Sequence, residues 1–306
     1  MSIHELMSKI FTDRPWSTYP RKRTMDVIVF MAVIMAAALH AVWNAMAKGG
    51  RDKHLSVAAV VLGHTPIAAI ILPFVPLPDP ASWPFLIAGI VLHFGYQVFL
   101  LNSYRIGDLT QVYPIARGTA PLLVAAISVL LLGVELVRTE VAAVIVIGAG
   151  VISLGLVRQQ NGSRNLAAGG LALVTGCFIA GYSLVDGTGA RLAGTALGFY
   201  GWLTLGNAAL FALYLRLAKP GTLRQIPANA RWTFVIGGSA SFLAYALVIW
   251  SFTQAPIALV TALRETSIVF ALAIGVFFLK EKLDIAKLTS TFITLVGAAL
   301  LRLSKT

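Results

Sequence analysis

The sequence predicts an all-α integral membrane protein with ten transmembrane helices arranged as two inverted five-helix repeats. Three observations carry this expectation. Of 306 residues, 58% are hydrophobic and 12% charged, about half the charged share of a soluble domain, and the mean hydropathy is +0.83. Charge-free runs long enough to cross a bilayer, roughly 20 residues each, recur along the chain with short polar gaps between them. Finally, Arg117 and Arg264, Thr119 and Thr266, and Gly150 and Gly297 share one spacing of 147 residues (264 − 117). Ten spans of about 21 residues and a 24-residue tail leave roughly eight residues for each connection. Any binding or chemistry must therefore sit between the helices.

Residues 1–24 read as a polar, basic tail, 25–157 as the first five-helix unit and 165–306 as the second. Arg21-Lys22-Arg23 precede an apolar run from Met25 to Ala47 that is too long for a signal-peptide core and is followed by further spans. It reads as an uncleaved first helix, with Met25 as an alternative start and residues 1–24 as an extension. The remaining spans fall near 55–78, 82–104, 109–134, 139–157, 167–187, 193–217, 231–252, 257–279 and 285–303. Pro73, Pro76, Pro78 and Pro80 close the second span. Trp232 to Leu263 carries no charge and is too long for one crossing. Thr253-Gln254-Ala255-Pro256 divides it, because proline removes a helix donor and clashes with the preceding turn. Glu135 and Glu281, just past the fourth and ninth spans, extend the repeat with a spacing of 146 (281 − 135). Five helices per unit is odd, so the second unit inserts upside down, the arrangement of secondary transporters with a site at the repeat interface.

The net charge of +12 comes from 24 Lys+Arg against 12 Asp+Glu. The basic residues lie almost entirely between apolar runs, where they anchor helix ends at head groups, so no nucleic-acid partner is expected. With the N-terminus inside, the inner segments hold nine Lys/Arg and the outer loops thirteen, a tally that runs against that orientation. Cys177 is the single cysteine, which excludes an internal disulfide and a cysteine metal cluster. No P-loop, nucleophile elbow or H-E-x-x-H stretch occurs, so neither enzymatic activity nor a cofactor is expected. The expected partners are a small-molecule substrate and the lipid bilayer; monomer and homodimer both remain open.

Charged groups at membrane depth are the informative residues. An arginine at a helix centre costs about 2.5–3.5 kcal/mol on insertion scales and faces the bundle interior or a cavity. Arg117 and Arg264 lie well inside their spans, Glu265 follows Arg264, and Asp186 lies near the end of the sixth span. Two readings stand. The charges neutralise one another as ion pairs, or one or both arginines present a planar two-donor fork to an anionic or zwitterionic substrate. Tyr113, Arg117 and Pro121 share one helix side, and Pro114 and Pro121 are expected to break that helix and free carbonyls beside the site. His40, Trp43 and Asn44 form one face of the first span, while Tyr182 and Asp186 form one in the sixth. Asp186 and Glu265 are candidates for proton coupling; Asp186 also suits a helix cap or a pair with Arg191. His64 and His93 lack a charged partner at helical spacing and read as packing.

These residues resemble an EamA-type member of the drug/metabolite transporter superfamily. The likeness rests on His40-Ala41-Val42-Trp43-Asn44-Ala45-Met46-Ala47-Lys48, on Tyr104 through Pro121, on Ala255 through Val260 with Ala262 through Ser267, and on Lys280-Glu281. It extends from Met25 to Leu303. The resemblance implies ten helices in two inverted repeats and alternating access around a central cavity. It also implies a bacterial inner membrane, cytoplasmic termini, and export of small polar metabolites such as amino acids. The second half keeps Arg264-Glu265-Thr266 but has no counterpart of Tyr113-Pro114, so the halves are expected to contribute unequally. On this reading Arg117 and Arg264 hold substrate charge, Trp43, Tyr113 and Tyr182 form walls, and His40, Asn44 and Thr119 orient the ligand. A membrane-embedded lipid enzyme would instead cluster its acids or histidines at one face. A non-transporting scaffold or accessory subunit would have no need of buried charges at matched positions.

Overall fold

A computed structural model describes residues 25–50, 52–106, 109–156, 166–277 and 285–303. Every regular element among them is helical. The basic tail, Asp108, the connection at 157–165 and Lys280-Glu281 lie outside the described residues. Helix α1 spans Val27–Gly49, α2 Lys53–Gly63, α3 Thr65–Ile71, α4 Trp83–Ile106, α5 Leu109–Leu130, α6 Arg138–Leu156 and α7 Leu166–Leu192. Helix α8 follows at Ala196–Ala218, α9 at Thr222–Asn229, α10 at Gly238–Gln254, α11 at Ile257–Arg264, α12 at Ser267–Phe277 and α13 at Ile285–Leu303. Among the described residues, seven candidate membrane spans emerge: Val27–Ala47, Lys53–Phe74, Pro80–Ser103, Leu166–Leu192, Ala196–Ala218, Thr233–Gln254 and Ile257–Phe277. Pro114–Leu130 and Leu288–Leu303 are apolar but shorter. The chain is a multi-pass membrane protein, and its surface agrees. Phe74, Leu130, Leu217, Phe277 and Phe292 point outward, while Arg117, Asp186, Arg264 and Glu265 are buried. That distribution suits hydrocarbon rather than water outside.

Capping chemistry sets several boundaries. Asp26 accepts the Ile28 amide at 2.8 Å to open α1, and Asp52 accepts those of His54 and Leu55 to open α2; both are the short acidic N-caps that satisfy orphan helix donors. Pro66 lies in the first turn of α3, where its missing N–H costs little but ends α2 at Gly63. The second span is therefore interrupted at His64. Pro256 separates α10 from α11 as expected. Helix α9, a short element between the seventh and eighth spans, was not expected from the sequence.

Two expectations about helix continuity are corrected. Helix α5 runs unbroken through Pro114 and Pro121. Pro121 only withholds a donor from the Arg117 carbonyl four residues back, and flanking hydrogen bonds keep the helix intact. The break falls in the ninth span instead, at Glu265-Thr266, between α11 and α12. There the amides of Glu265, Thr266, Ile268 and Val269 bond three residues back, at 3.0, 3.0, 3.1 and 2.9 Å, tightening the turn without proline. Helix α7 also continues to Leu192, so Asp186 is interior to the helix and not near its end; small residues (Gly187, Gly189, Ala190) read as an end but let the helix pack closely.

Packing exchanges partners between the halves. Helix α4 packs on α7 while α10 packs on α1, α5 packs on α7 while α11 and α12 pack on α1, and α6 packs on α13. A Cβ on Gly150 would lie 3.3 Å from Thr294 Oγ1, and one on Gly297 would lie 2.5 Å from Ile147 Cγ1. Thr294 is 147 residues after Ile147 (294 − 147), so the two glycines make reciprocal contacts across this helix pair.

Candidate functional site

Helices α1, α2, α4, α5, α7, α8, α10 and α11 converge on a cavity of about 110 Å³. Helical spacing of four or three residues turns one side of each toward it: His40 and Trp43 from α1, His93 and Gln97 from α4, and Tyr200, Thr204 and Asn207 from α8. Ser241 and Tyr245 from α10, Tyr182 from α7, Arg117 from α5 and Arg264 from α11 complete it, with His64 at the α2–α3 bend.

The two arginines, equivalent in the sequence repeat, differ in the structure. Arg117 Nε donates to Glu265 Oε2 at 2.9 Å, and its Nη2 lies 3.5 Å from Ser267 Oγ. Both partners are almost fully buried, so Arg117 and Glu265 neutralise one another. Arg264 is 3% exposed, yet its Nε and Nη2 have no hydrogen-bond partner. Its Cζ stands over the Tyr245 ring, 5.9 Å from the centroid, a cation–π contact that steadies the charge without using its donors. The break after α11 helps: a cation suits the C-terminal end of a helix, and Glu265 sits just before the N-terminal end of α12.

A second polar cluster lies beside Arg264. His93 Nε2 is 2.7 Å from Asp186 Oδ2, and the Tyr245 hydroxyl donates to that same oxygen at 2.7 Å. Asp186 Oδ1 is without a partner. The His93 ring stacks on Tyr182 with centroids 4.1 Å apart and meets Tyr245 edge-on at 5.3 Å. Gln97 Oε1, Asn207 Oδ1 and His64 Nε2 are further buried atoms without partners around the cavity. Buried polar atoms are nearly always bonded, so such a collection marks a place for water or a ligand.

Of the residues singled out in the sequence, Arg117, Arg264, Trp43, His40 and Tyr182 line the cavity together. Trp43 Nε1 donates to His40 Nδ1 at 3.2 Å, which fixes the acceptor nitrogen because an indole N–H can only donate. Asn44 spends its amide on the His40 carbonyl and Thr119 its hydroxyl on the Ile115 carbonyl; neither lines the cavity. Glu265 serves Arg117, and Asp186 meets His93 and Tyr245 rather than capping a helix. Arg191 donates to the carbonyls of Phe252 and Ala255. The backbone of Tyr113 belongs to α5, while its side chain lies outside what the structure describes. His93 and His64, read as packing, are corrected: both face the cavity, and His93 has a carboxylate partner from another helix. Sequence reading passed over Tyr96, Gln97, Tyr200, Thr204, Asn207, Ser241 and Tyr245 as well. Their signal was a polar or hydroxyl residue every third or fourth position on three apolar spans.

The fold and this buried polar centre define a class, a multi-helix membrane protein with a charged, aromatic-walled central cavity. Residues 167–303 match the model of the EamA-like transporter family, so the second half of the chain is similar to an EamA-like unit. A solved crystal structure of another protein shares the fold with a TM-score of 0.70 at 21% identity, over 91% of this chain and 96% of the other. No curated protein matches the sequence.

Proposed function

We propose that the chain is a secondary transporter of small polar or amphipathic metabolites that carry an anionic group, amino acids and related compounds among them. One observation carries this reading: Arg264, buried and lining the cavity, has two guanidinium nitrogens without partners. A buried cation with unused donors is costly, and a carboxylate or phosphate accepting two parallel bonds removes that cost. Trp43, Tyr182 and Tyr245 supply walls for an apolar portion. Arg117, held by Glu265 and Ser267, ties α5 to the α11–α12 break and sets where Arg264 stands.

The exchange of packing partners between halves supports ten helices as two inverted five-helix repeats, with alternating access around the cavity. On this reading both termini are cytoplasmic in a bacterial inner membrane and substrate moves outward. The sequence has no nucleotide-binding loop, so an ion or substrate gradient drives the cycle. Comparing metabolites excreted by cells expressing the wild type or Arg264→Gln tests the reading. At least one anionic metabolite should accumulate outside with the wild type alone; identical excretion at equal membrane abundance overturns it.

A further inference from the structure

We infer that the His93–Asp186 pair is a proton-binding site that takes up one proton when Arg264 binds a monoanion. This rests on the reading of Arg264 as an anion site and adds to it the proton that accompanies the anion. Arg117 is paired with Glu265, so the formal charges left beside the cavity are those of Arg264 and the Asp186 carboxylate, which are joined only through Tyr245. A monoanion on Arg264 leaves one net negative charge in a low-dielectric interior, where uncompensated charge is expensive. A proton restores balance.

The geometry says where that proton goes. With Asp186 ionised, the 2.7 Å contact requires His93 to donate through Nε2. The incoming proton therefore lands on Nδ1, and the imidazolium keeps its bond to the carboxylate. The Tyr245 hydroxyl continues to donate to Asp186 Oδ2. The Tyr245 ring centroid is 5.9 Å from Arg264 Cζ and 5.3 Å from that of His93.

The elements packed against α7 bring few titratable groups to the cavity. Helix α4 contributes His93 and Tyr96, α10 Tyr245, α8 Tyr200, α11 Arg264 and α5 Arg117; Tyr182 stands on α7 itself, and the turn at Pro80–Ser82 carries no titratable group. Glu265 belongs to Arg117. Two other histidines face the cavity. His40 already accepts from Trp43 through Nδ1. His64 Nε2 has no hydrogen-bond partner. Among the described cavity groups, Asp186 is the carboxylate that no arginine holds.

Calorimetry of the purified protein in neutral-lipid nanodiscs, run in two buffers of different ionisation enthalpy, counts the protons. Acetate, lactate and benzoate are the probes, with benzamide as an uncharged match for benzoate. The wild type should take up one proton per carboxylate bound and none with benzamide. Above the pH where the pair loses its proton, carboxylate Kd should rise about tenfold per pH unit, the slope of one linked proton. Asp186→Asn and His93→Gln should each bind without proton uptake and with a flat pH profile. Carboxylate binding to the wild type with no proton uptake overturns the coupling and leaves the anion site standing, as does uptake unchanged in both variants. Failure of all three carboxylates to bind the wild type overturns the anion site and the coupling with it.

Discussion

Removing Glu265 while keeping Arg117 should destabilise the protein more than any surface change. The pair is joined by a 2.9 Å hydrogen bond, with side-chain exposures of 5% and 2%. Taking one partner from a buried pair leaves an uncompensated charge, a loss of about 3–5 kcal/mol. For Glu265→Gln the loss belongs toward the upper part of that range, because Arg264, the preceding residue, is a second buried cation with unused donors. Glu265→Gln and Arg117→Gln should each be strongly destabilising in reversible SDS unfolding, monitored by circular dichroism. The double variant, with two neutral amides of matching size, should lose much less than the sum of the two. A coupling of about 1–3 kcal/mol is expected for residues in one network. Additive losses within about 0.5 kcal/mol would refute the assignment of Arg117 and Glu265 to each other.

Asn44→Ala and Thr119→Ala should each leave transport within about twofold of the wild type, since their polar atoms bond to carbonyls of their own helices and such bonds contribute about 1 kcal/mol to stability; transport assays at equal expression check this. A reporter fused after Thr306 should prove cytoplasmic and one inserted in the 157–165 connection should prove external, as an odd number of crossings per unit demands. Both reporters on one side would break the inverted repeat, and both reversed would side with the Lys/Arg tally.

Much of the architecture was legible in the sequence because a bilayer constrains it so tightly. Backbone polar groups in hydrocarbon must bond within the segment, so charge-free runs map onto helices, as the stretches around α1, α4, α8 and α10 show. Matching Arg117 with Arg264 also pointed to the right region of the interior. What the spacing could not convey was that the two arginines have different fates. Glu265 is adjacent to Arg264 in sequence but reaches across to Arg117, because the break after α11 turns successive residues in different directions. Proline content misled for the same reason: α5 tolerates Pro114 and Pro121, whereas the consequential break has no proline to announce it. His93 was passed over because its carboxylate comes from α7, 93 residues away, and helical spacing sees only partners on the same helix. Polar side chains distributed one per turn over α4, α8 and α10 become a site only when those helices converge.

The central claim, that Arg264 supplies the free buried charge that binds substrate, is tested most directly in proteoliposomes exposed to a small-metabolite extract, with the retained compounds identified by mass spectrometry. Wild-type vesicles should retain at least one small carboxylate or phosphate above the level of empty vesicles, and Arg264→Gln vesicles at equal protein density should retain none. Equal retention by the wild type and the variant would contradict the claim.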